Sequence, residues 1–363
     1  MLRNLRIANF RGLREFAMSG LGRVNLLVGT NNCGKTSVLE AIHILSAPGG
    51  AALWQAQLRR GELVDSPHEQ ELDVAHLVYG HKLVDGGGFA FAGDADTGPR
   101  ALVASFVARE LASKDIDDED DGDTSAALAT LAPMSLQLEW RGEPPRWAVQ
   151  FPITRRGGLR LRNIVSSRAA EVAEPRGPVM FITTEGLTRA NIVSIFDSVV
   201  LTPDEETVLQ ALHTIEPAIE RIASVGAHKR YSGRDVRGGI AMMVAGQRVP
   251  IGSMGDGIWR LLGISLALVR ARGGVLLVDE IDTGLHYTVL VDLWRLVLST
   301  ARNLDVQVFA TTHSRDCYEA LAAVTEVSRT EISLQRIERG KVEAIGLTEA
   351  ELQQAAERGL EVR

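Results

Sequence analysis

The sequence predicts an α/β fold with a parallel sheet whose carboxyl edge carries a functional site, and three observations predict it. VNLLVG is an apolar run that enters a glycine-rich loop, GTNNCGKTS, and the loop enters KTSVLEAIHIL, where Val38, Leu39, Ile42 and Leu45 share one helical face. VLLVDE is a second apolar strand, ending in two acids. VQVFATTHS, one helix later, is a third strand that turns polar at its end. Strand, helix, strand with polar residues at the strand ends is the pattern of an open α/β sheet.

The elements follow in order. LRIANF alternates as a strand does, and VNLLVG reads as a strand buried on both faces. HLVYGHKLVDGGG is turn-rich, and the acidic run DIDDEDDGD (115–123) reads as a mobile, solvated loop. SLQLEW and RWAVQF read as two strands around a Pro-Pro turn. RRGGLRLRNIVSSR (155–168) is locally basic; a solvated face and a nucleic-acid contact both fit it, and no aromatic residues interleave to stack bases. ETVLQALHTIEPAIERIASV reads as a helix interrupted near Pro217. GGIAMMV and QRVPIG suggest a hairpin, and GIWRLLGISLALVRA a long helix stopped by Gly273-Gly274. YTVLVDLWRLVLSTA is a helix, and the tail ISLQRIERGKVEAIGL is a hairpin followed by a short helix. Trp259 and Trp294 fall on apolar helices as core anchors.

Composition bounds the function. A chain of 363 residues holds one large domain or two. With 39 basic and 46 acidic residues the net charge is −7, which argues against a chain coated for constant nucleic-acid binding but leaves room for a local basic patch. Cys33 and Cys317 form no metal or disulfide pattern, as expected in a reducing cytosol. The N-terminus shows no signal-peptide core and no stretch reaches membrane-span length, so the expected location is cytoplasmic, with no membrane partner.

Four separated motifs point to one chemistry. In the loop, Gly29 and Gly34 allow tight turns, so that the N–H groups of residues 29–37 (Gly29, Thr30, Asn31, Asn32, Cys33, Gly34, Lys35, Thr36, Ser37) can cradle phosphate oxygens at a helix N-terminus. Lys35 can neutralise the β- and γ-phosphates, and the Thr36 hydroxyl can ligate Mg2+. Asp279 is a second Mg2+ ligand, usually through water, and Glu280 is the group to polarise an attacking water. His313 in TTHS is placed to reach a γ-phosphate. GSMGDG (252–257) precedes a helix, where Ser253 can cap the helix and offer hydroxyl and N–H groups to a phosphate. One chain has no nucleotide for this second phosphate-binding end, so it makes sense against the nucleotide of another subunit; the plainer alternative is a glycine-rich turn with a cap. His286 and Arg260 flank that region, with packing or a salt link as the default and a phosphate role as the alternative. The Cys33 thiol is expected to be incidental to phosphate binding, although its oxidation could block nucleotide entry.

The order GTNNCGKTS, SMGDG, VLLVDEID, TTHS resembles an ABC-class ATPase of the SMC/RecF-like branch, and LRIANFRGL followed by VNLLVGTNNCGKTSVLEAI is similar to the N-terminal half of that branch. The NNxGKT and SMGDGIWR forms look most like stand-alone ATPases related to the overcoming-lysogenisation-defect (OLD) family. The resemblance covers roughly 1–45 and 235–320. It implies a P-loop NTPase head of ABC type, mixed sheet with flanking helices, split as 1–50 and 235–363 around an inserted α/β lid or arm at 51–234.

The resemblance also implies a mechanism. Two heads sandwich two ATP molecules, each held by the loop of one subunit and by Ser253, Gly255, Asp256 and Gly257 of the other. Asp279 is the magnesium acid, Glu280 the catalytic base and His313 the switch histidine, while Asp282 belongs to a loop crossing the dimer interface. Asp256 stands where many transporters of this class carry glycine, and the Q-loop glutamine has only Gln55 and Gln57 as candidates. OLD nucleases carry a C-terminal Toprim domain; here fifty residues follow His313 without an Asp-x-Asp strand end, so no nuclease activity of its own is expected. The expected function is a homodimeric, Mg2+-dependent ATPase that switches a separately encoded effector, a nuclease or toxin, in DNA repair or phage defence. The alternative is a DNA-binding clamp whose grip is reset by hydrolysis.

Overall fold

The computed structural model describes residues 1–47, 50–64, 70–108, 134–142, 147–154, 156–161, 177–213, 215–225, 239–325 and 331–362. The acidic run 115–123, the Pro-Pro turn at 144–145, Arg155 and residues 162–168 lie outside them.

Two larger sheets organise the chain. One is antiparallel: β1 (Leu5–Phe10) and β2 (Leu13–Met18) form a hairpin, and β1 also pairs with a strand from much later in the sequence. After α1 (Lys35–Ser46) and α2 (Gly50–Arg60), the short strands β4 (Leu63–Val64) and β5 (Glu71–Asp73) lead to β6 (Gly88–Ala95), β7 (Gly98–Ala108), β8 (Met134–Arg141) and β9 (Trp147–Ile153). The order is β2-β1-β6-β7-β8-β9. β10 (Gly158–Arg160) pairs with β5 in a small separate sheet.

The other sheet is mainly parallel. β3 (Val24–Val28), β11 (Val179–Ile182), β15 (Val275–Val278), β16 (Gln307–Thr312), β17 (Ile332–Arg336) and β18 (Ile345–Leu347) take the order β11-β15-β16-β3-β17-β18, with β18 antiparallel at the edge. Parallel strands in this order point every carboxyl end the same way, which collects residues 29, 279 and 313 on one edge.

α1 lies between the two sheets. It touches β11, β15 and β16 on one side and β1, β6 and β7 on the other. Side-chain alternation along the parallel strands divides the core: Leu277 and Phe309 face the α1 layer, whereas Leu276, Val278, Val308 and Ala310 face the opposite layer. That opposite layer is built by α3 (Arg189–Val199), α4 (Pro203–His213), α5 (Asp256–Arg270), α6 (Leu290–Asn303), α7 (Arg315–Ala323) and α8 (Glu349–Glu357). A helix covered on two sides is apolar nearly all round, and α1 buries Val38, Leu39, Ala41, Ile42, Ile44 and Leu45 together.

The predicted strands LRIANF, VNLLVG, SLQLEW, RWAVQF, GGIAMMV, QRVPIG, VLLVDE and VQVFATTHS correspond to the observed strands at 5–10, 24–28, 134–141, 147–153, 240–244, 247–250, 275–278 and 307–312, and the predicted helices after the glycine-rich loop, after GSMGDG and before VQVFATTHS are present as α1, α5 and α6. One reading is corrected. The segment after Pro217 does not resume the helix: α4 ends at His213 and Ile219–Ser224 is β12, paired with β13 (Ile240–Val244), which pairs in turn with β14 (Gln247–Pro250). Its apolar residues Ile219 and Ile222 are spaced for either structure, and pairing with β13 decides it. The span 51–234, expected as an inserted lid or arm, contributes β6–β9 to the sheet that begins with β1 and β2, and β11 to the parallel sheet.

Trp294 and Trp259 are both buried, as expected of core anchors. The Trp294 indole donates to the Cys317 carbonyl at 2.9 Å, joining α6 to α7. Replacing Trp294 with Phe keeps most of the packing but removes the indole bond between the helices, and should cost about 0.5–1.5 kcal/mol. Urea unfolding midpoints of the two proteins test this; equal midpoints would show the indole bond adds nothing.

Candidate active site

The glycine-rich loop closes β3 and starts α1. A Cβ at Gly29 would fall 2.4 Å from the Ile337 carbonyl oxygen and 2.8 Å from Cys33 Sγ, so this position admits only glycine without movement. Asn32 (φ 61°) and Gly34 (φ 107°) are both left-handed, the backbone a tight anion-cradling loop needs. Thr30, Asn31 and Asn32 are exposed, while Cys33 turns its thiol into the core and leaves its backbone in the loop. Lys35 is only 7% exposed. Its ammonium donates to the carbonyls of Gly29 (2.8 Å) and Thr30 (3.0 Å), which holds the cation at the loop itself.

Three strand ends meet over Asp279. Its Oδ2 accepts from the Thr36 hydroxyl at 2.9 Å and its Oδ1 from the Thr311 hydroxyl at 2.6 Å. The Thr311 oxygen in turn accepts from the Glu280 N–H at 2.8 Å. Glu280 has φ 48°, an uncommon conformation for a residue with a Cβ. Its carboxylate lies 3.4 Å from His313 Nδ1 and, through the other oxygen, 3.4 Å from the Thr283 hydroxyl. His313 is half-exposed, so this pair faces outward from the sheet edge. Asp282, expected on a loop crossing an interface, is partly buried and accepts from the Thr312 hydroxyl at 2.8 Å.

The structure thus brings residues 29–37, Asp279, Glu280, Asp282 and His313 to one edge. The Ser253–Gly257 segment starts the neighbouring helix. The expectation that Ser253 caps that helix is corrected: Ile251–Ser253 is a 3-10 turn continued by Met254, and the cap is Gly255, whose φ of 88° makes the change of direction. Ser253, Gly255 and Asp256 face solvent. Gly257 packs beside the loop after Glu280, where a Cβ would sit 3.5 Å from the Gly284 carbonyl oxygen.

Sequence reasoning named His313 within TTHS but gave no role to its two threonines, which link Asp279, Glu280 and Asp282. It also missed the charged shell behind the loop. Glu40, on α1, is 1% exposed, pairs in charge with Arg11 at 2.7 Å and accepts from Arg60 at 2.9 Å, and Arg60 also reaches the Ser37 hydroxyl at 3.4 Å. The signal was present as arginines flanking the loop helix, but only the fold shows which acid they share. Gln57 is buried with its amide nitrogen bonded to the Asp73 carbonyl at 2.6 Å, and Gln55 is exposed. Arg160, in the basic stretch, lies 3.5 Å from the Glu71 carboxylate. Arg260 donates to three backbone carbonyls, and exposed His286 bonds Thr288.

Both ends of the chain match ATPase families. Residues 1–78 match the family described as "AAA ATPase domain", and residues 244–316 match "AAA domain, putative AbiEii toxin, Type IV TA system". The first range holds the phosphate loop and the second holds Ser253 through His313. The site is that of a nucleotide-binding ATPase. An ATP/GTP phosphatase of Helicobacter pylori is 20% identical over 351 residues, 89% of this chain and 88% of that protein. An uncharacterized protein of Methanocaldococcus jannaschii is 43% identical over 60 residues, 16% of this chain and 27% of that one. The DNA replication and repair protein RecF of Clostridioides difficile is 44% identical over 45 residues, 12% of each. Among solved structures, an SMC head bound to the C-winged helix domain of ScpA aligns with 96% of this chain and 97% of its own at 13% identity, with a TM-score of 0.47. The SMC head domain from Thermotoga maritima aligns with 96% of this chain and 98% of its own at 12% identity, with a TM-score of 0.42. No helix among the described residues is long and apolar enough to cross a membrane.

Behind the loop, His43 of α1 is buried against Phe181 and beside Arg59. Burial, with the Arg59 charge second, pushes its pKa down to about 3. The folded protein therefore keeps His43 neutral while the unfolded chain protonates near 6.5. Its contribution to stability is complete above that unfolded pKa and is lost as pH falls from there toward 3, at up to about 1.4 kcal/mol per pH unit. Unfolding free energies measured from pH 7 to 4 should fall less steeply in His43→Leu than in the unmutated protein; parallel curves would refute the assignment.

Proposed function

We propose that the chain binds and hydrolyses ATP with Mg2+ as a head-to-head homodimer, and that the cycle acts as a conformational switch for a separately encoded effector. The observation that carries this reading is the hydrogen-bonded chain from Thr36 through Asp279 and Thr311 to Glu280, which ties the phosphate loop to the catalytic acids. Thr36 Oγ1 and Asp279 Oδ2 are hard oxygen donors 2.9 Å apart, the ligand chemistry that Mg2+ takes. Thr36 and Asp279 would hold Mg2+, which would supply charge neutralisation to the bound phosphates. Loop N–H groups and Lys35 bind and orient the phosphates. Glu280 orients the attacking water and accepts its proton, and His313 beside that carboxylate meets the γ-phosphate.

The dimer is supported by the Ser253–Gly257 segment, a glycine-capped helix start with exposed polar groups. Gly284 and Leu285, just after Asp282, lie beside that segment, so this loop and the segment would meet the second head together. A partner effector is favoured by the match of residues 244–316 to a family of AAA domains that includes a putative AbiEii toxin of a Type IV TA system. A role in phage defence beside OLD-related ATPases rests on the NNCGKT and SMGDGIWR forms. The second reading, a DNA clamp in repair, draws on the 45-residue likeness to RecF.

Light scattering on Glu280→Gln with and without Mg-ATP, alongside phosphate release by the unmutated protein, tests the switch. The expected result is a doubling of mass in the trapped variant and turnover only in the unmutated protein. A variant that stays monomeric in Mg-ATP would remove the dimer. For the clamp, duplex DNA affinity should fall steeply between 50 and 200 mM salt, on the order of 10³-fold; no measurable binding at low salt would end that reading.

A further inference from the structure

Arg260 lies about one helical turn into α5, on the helix whose start carries the Ser253–Gly257 segment. Its side chain is 6% exposed. One terminal nitrogen donates to the carbonyls of Asp279 (2.9 Å) and Glu280 (2.8 Å), and the other to the carbonyl of Thr183 (2.9 Å). All three acceptors belong to backbone just beyond the carboxyl ends of β11 and β15. A guanidinium is a planar fork, suited to hold several oxygens in one arrangement. Here it fixes the peptide groups on either side of Glu280, the residue whose φ of 48° needs outside support.

Beside this bracket is a small cavity of about 90 Å³ lined by Arg260, Asp256, Trp259, Glu185, Thr283 and Gly284. The start of α5 and the turn after Glu280 therefore meet around open space and are joined by Arg260. Arg260 is the buried link between that helix start and the two peptide groups. Burial lowers the pKa of that cation, while Asp282, Asp279 and Glu280 oppose the shift.

We propose that Arg260 is a positioning residue that couples the exposed Ser253–Gly257 segment to the backbone of Glu280, so that hydrolysis follows engagement of that segment by a second copy of the chain. The proposal rests on the ATPase reading above. Arg260 touches no reacting atom; it sets where the Glu280 carboxylate points.

The test uses full-length Arg260→Lys, which keeps the charge but cannot span three carbonyls, and Arg260→Gln. Nucleotide affinity is read with a fluorescent ATP analogue, and kcat and KM are read over a range of protein concentrations. For the unmutated protein, turnover per protomer should rise with protein concentration. In Arg260→Lys, affinity should stay within about twofold while kcat falls on the order of 100-fold, the scale of an ångström-sized misplacement. The residual rate should no longer depend on protein concentration. An unchanged kcat overturns the proposal, as does a residual rate that keeps the concentration dependence. A parallel loss of affinity, or failure of both variants to fold by circular dichroism, makes Arg260 a general support of the fold and also overturns it. Failure of the ATPase reading would look different: the unmutated protein itself would neither bind the analogue nor release phosphate.

Discussion

Asp279 accepts from Thr36 on one oxygen and from Thr311 on the other, and much of the site depends on that pair of contacts. The carboxylate sits at the end of β15, Thr311 on β16, and Thr36 at the start of the helix that follows β3. Since β16 lies between β15 and β3, the three groups meet only if these strands are parallel and in this order. Paired hydroxyl donors also satisfy this buried carboxylate, because each oxygen has a donor in place of water. The sheet order and the chemistry are thus one constraint.

The same constraint explains the burial of polar groups elsewhere. β3 must run through the centre of the molecule, so its Asn25 is fully buried, and it is satisfied by Gly22 and the Val308 carbonyl. Gln307 at the start of β16 does the same at that edge, bonding Leu2 and Gly22. These side chains lock the amino ends of the central strands. At the carboxyl ends, bonding comes from Thr311, Thr312 and Arg260, so the turn after β15 is held by side chains where the ladder stops.

Legibility in the sequence follows from how local each signal is. β3, the loop and α1 could be read because strand, turn and helix chemistry lie within a single run, residues 24–46. Asp279, Glu280 and His313 could be read because each ends an apolar strand. β11 could not: four residues of PVMFI give no periodicity, and only pairing with β15 shows them to be part of the sheet. β6 and β7 were hidden by alanine and glycine, weak strand formers whose place is set by eight paired positions across the hairpin. The helix start at Asp256 was misassigned to a Ser253 cap because a glycine with positive φ leaves no side-chain signature. Arg260 illustrates the remaining limit, since its partners are backbone carbonyls that any sequence supplies.

Glu280 shows why those two kinds of information have to be combined. Its carboxylate was assigned from the sequence, but a carboxylate works as a base only when aimed. Its aim depends on a left-handed backbone, a Thr311 bond on its N–H and an Arg260 bond on its carbonyl. The N–H is tied to the Asp279–Thr36 arm and so to the phosphate loop of the same chain. The carbonyl is tied to α5 and so to the exposed segment that begins it. One peptide conformation therefore receives constraints from two directions, and a group placed between two elements responds to both only if neither alone fixes it. A residue in a sparsely populated φ region persists only while its surroundings over-determine it, and at Glu280 those surroundings include both Thr311 and Arg260.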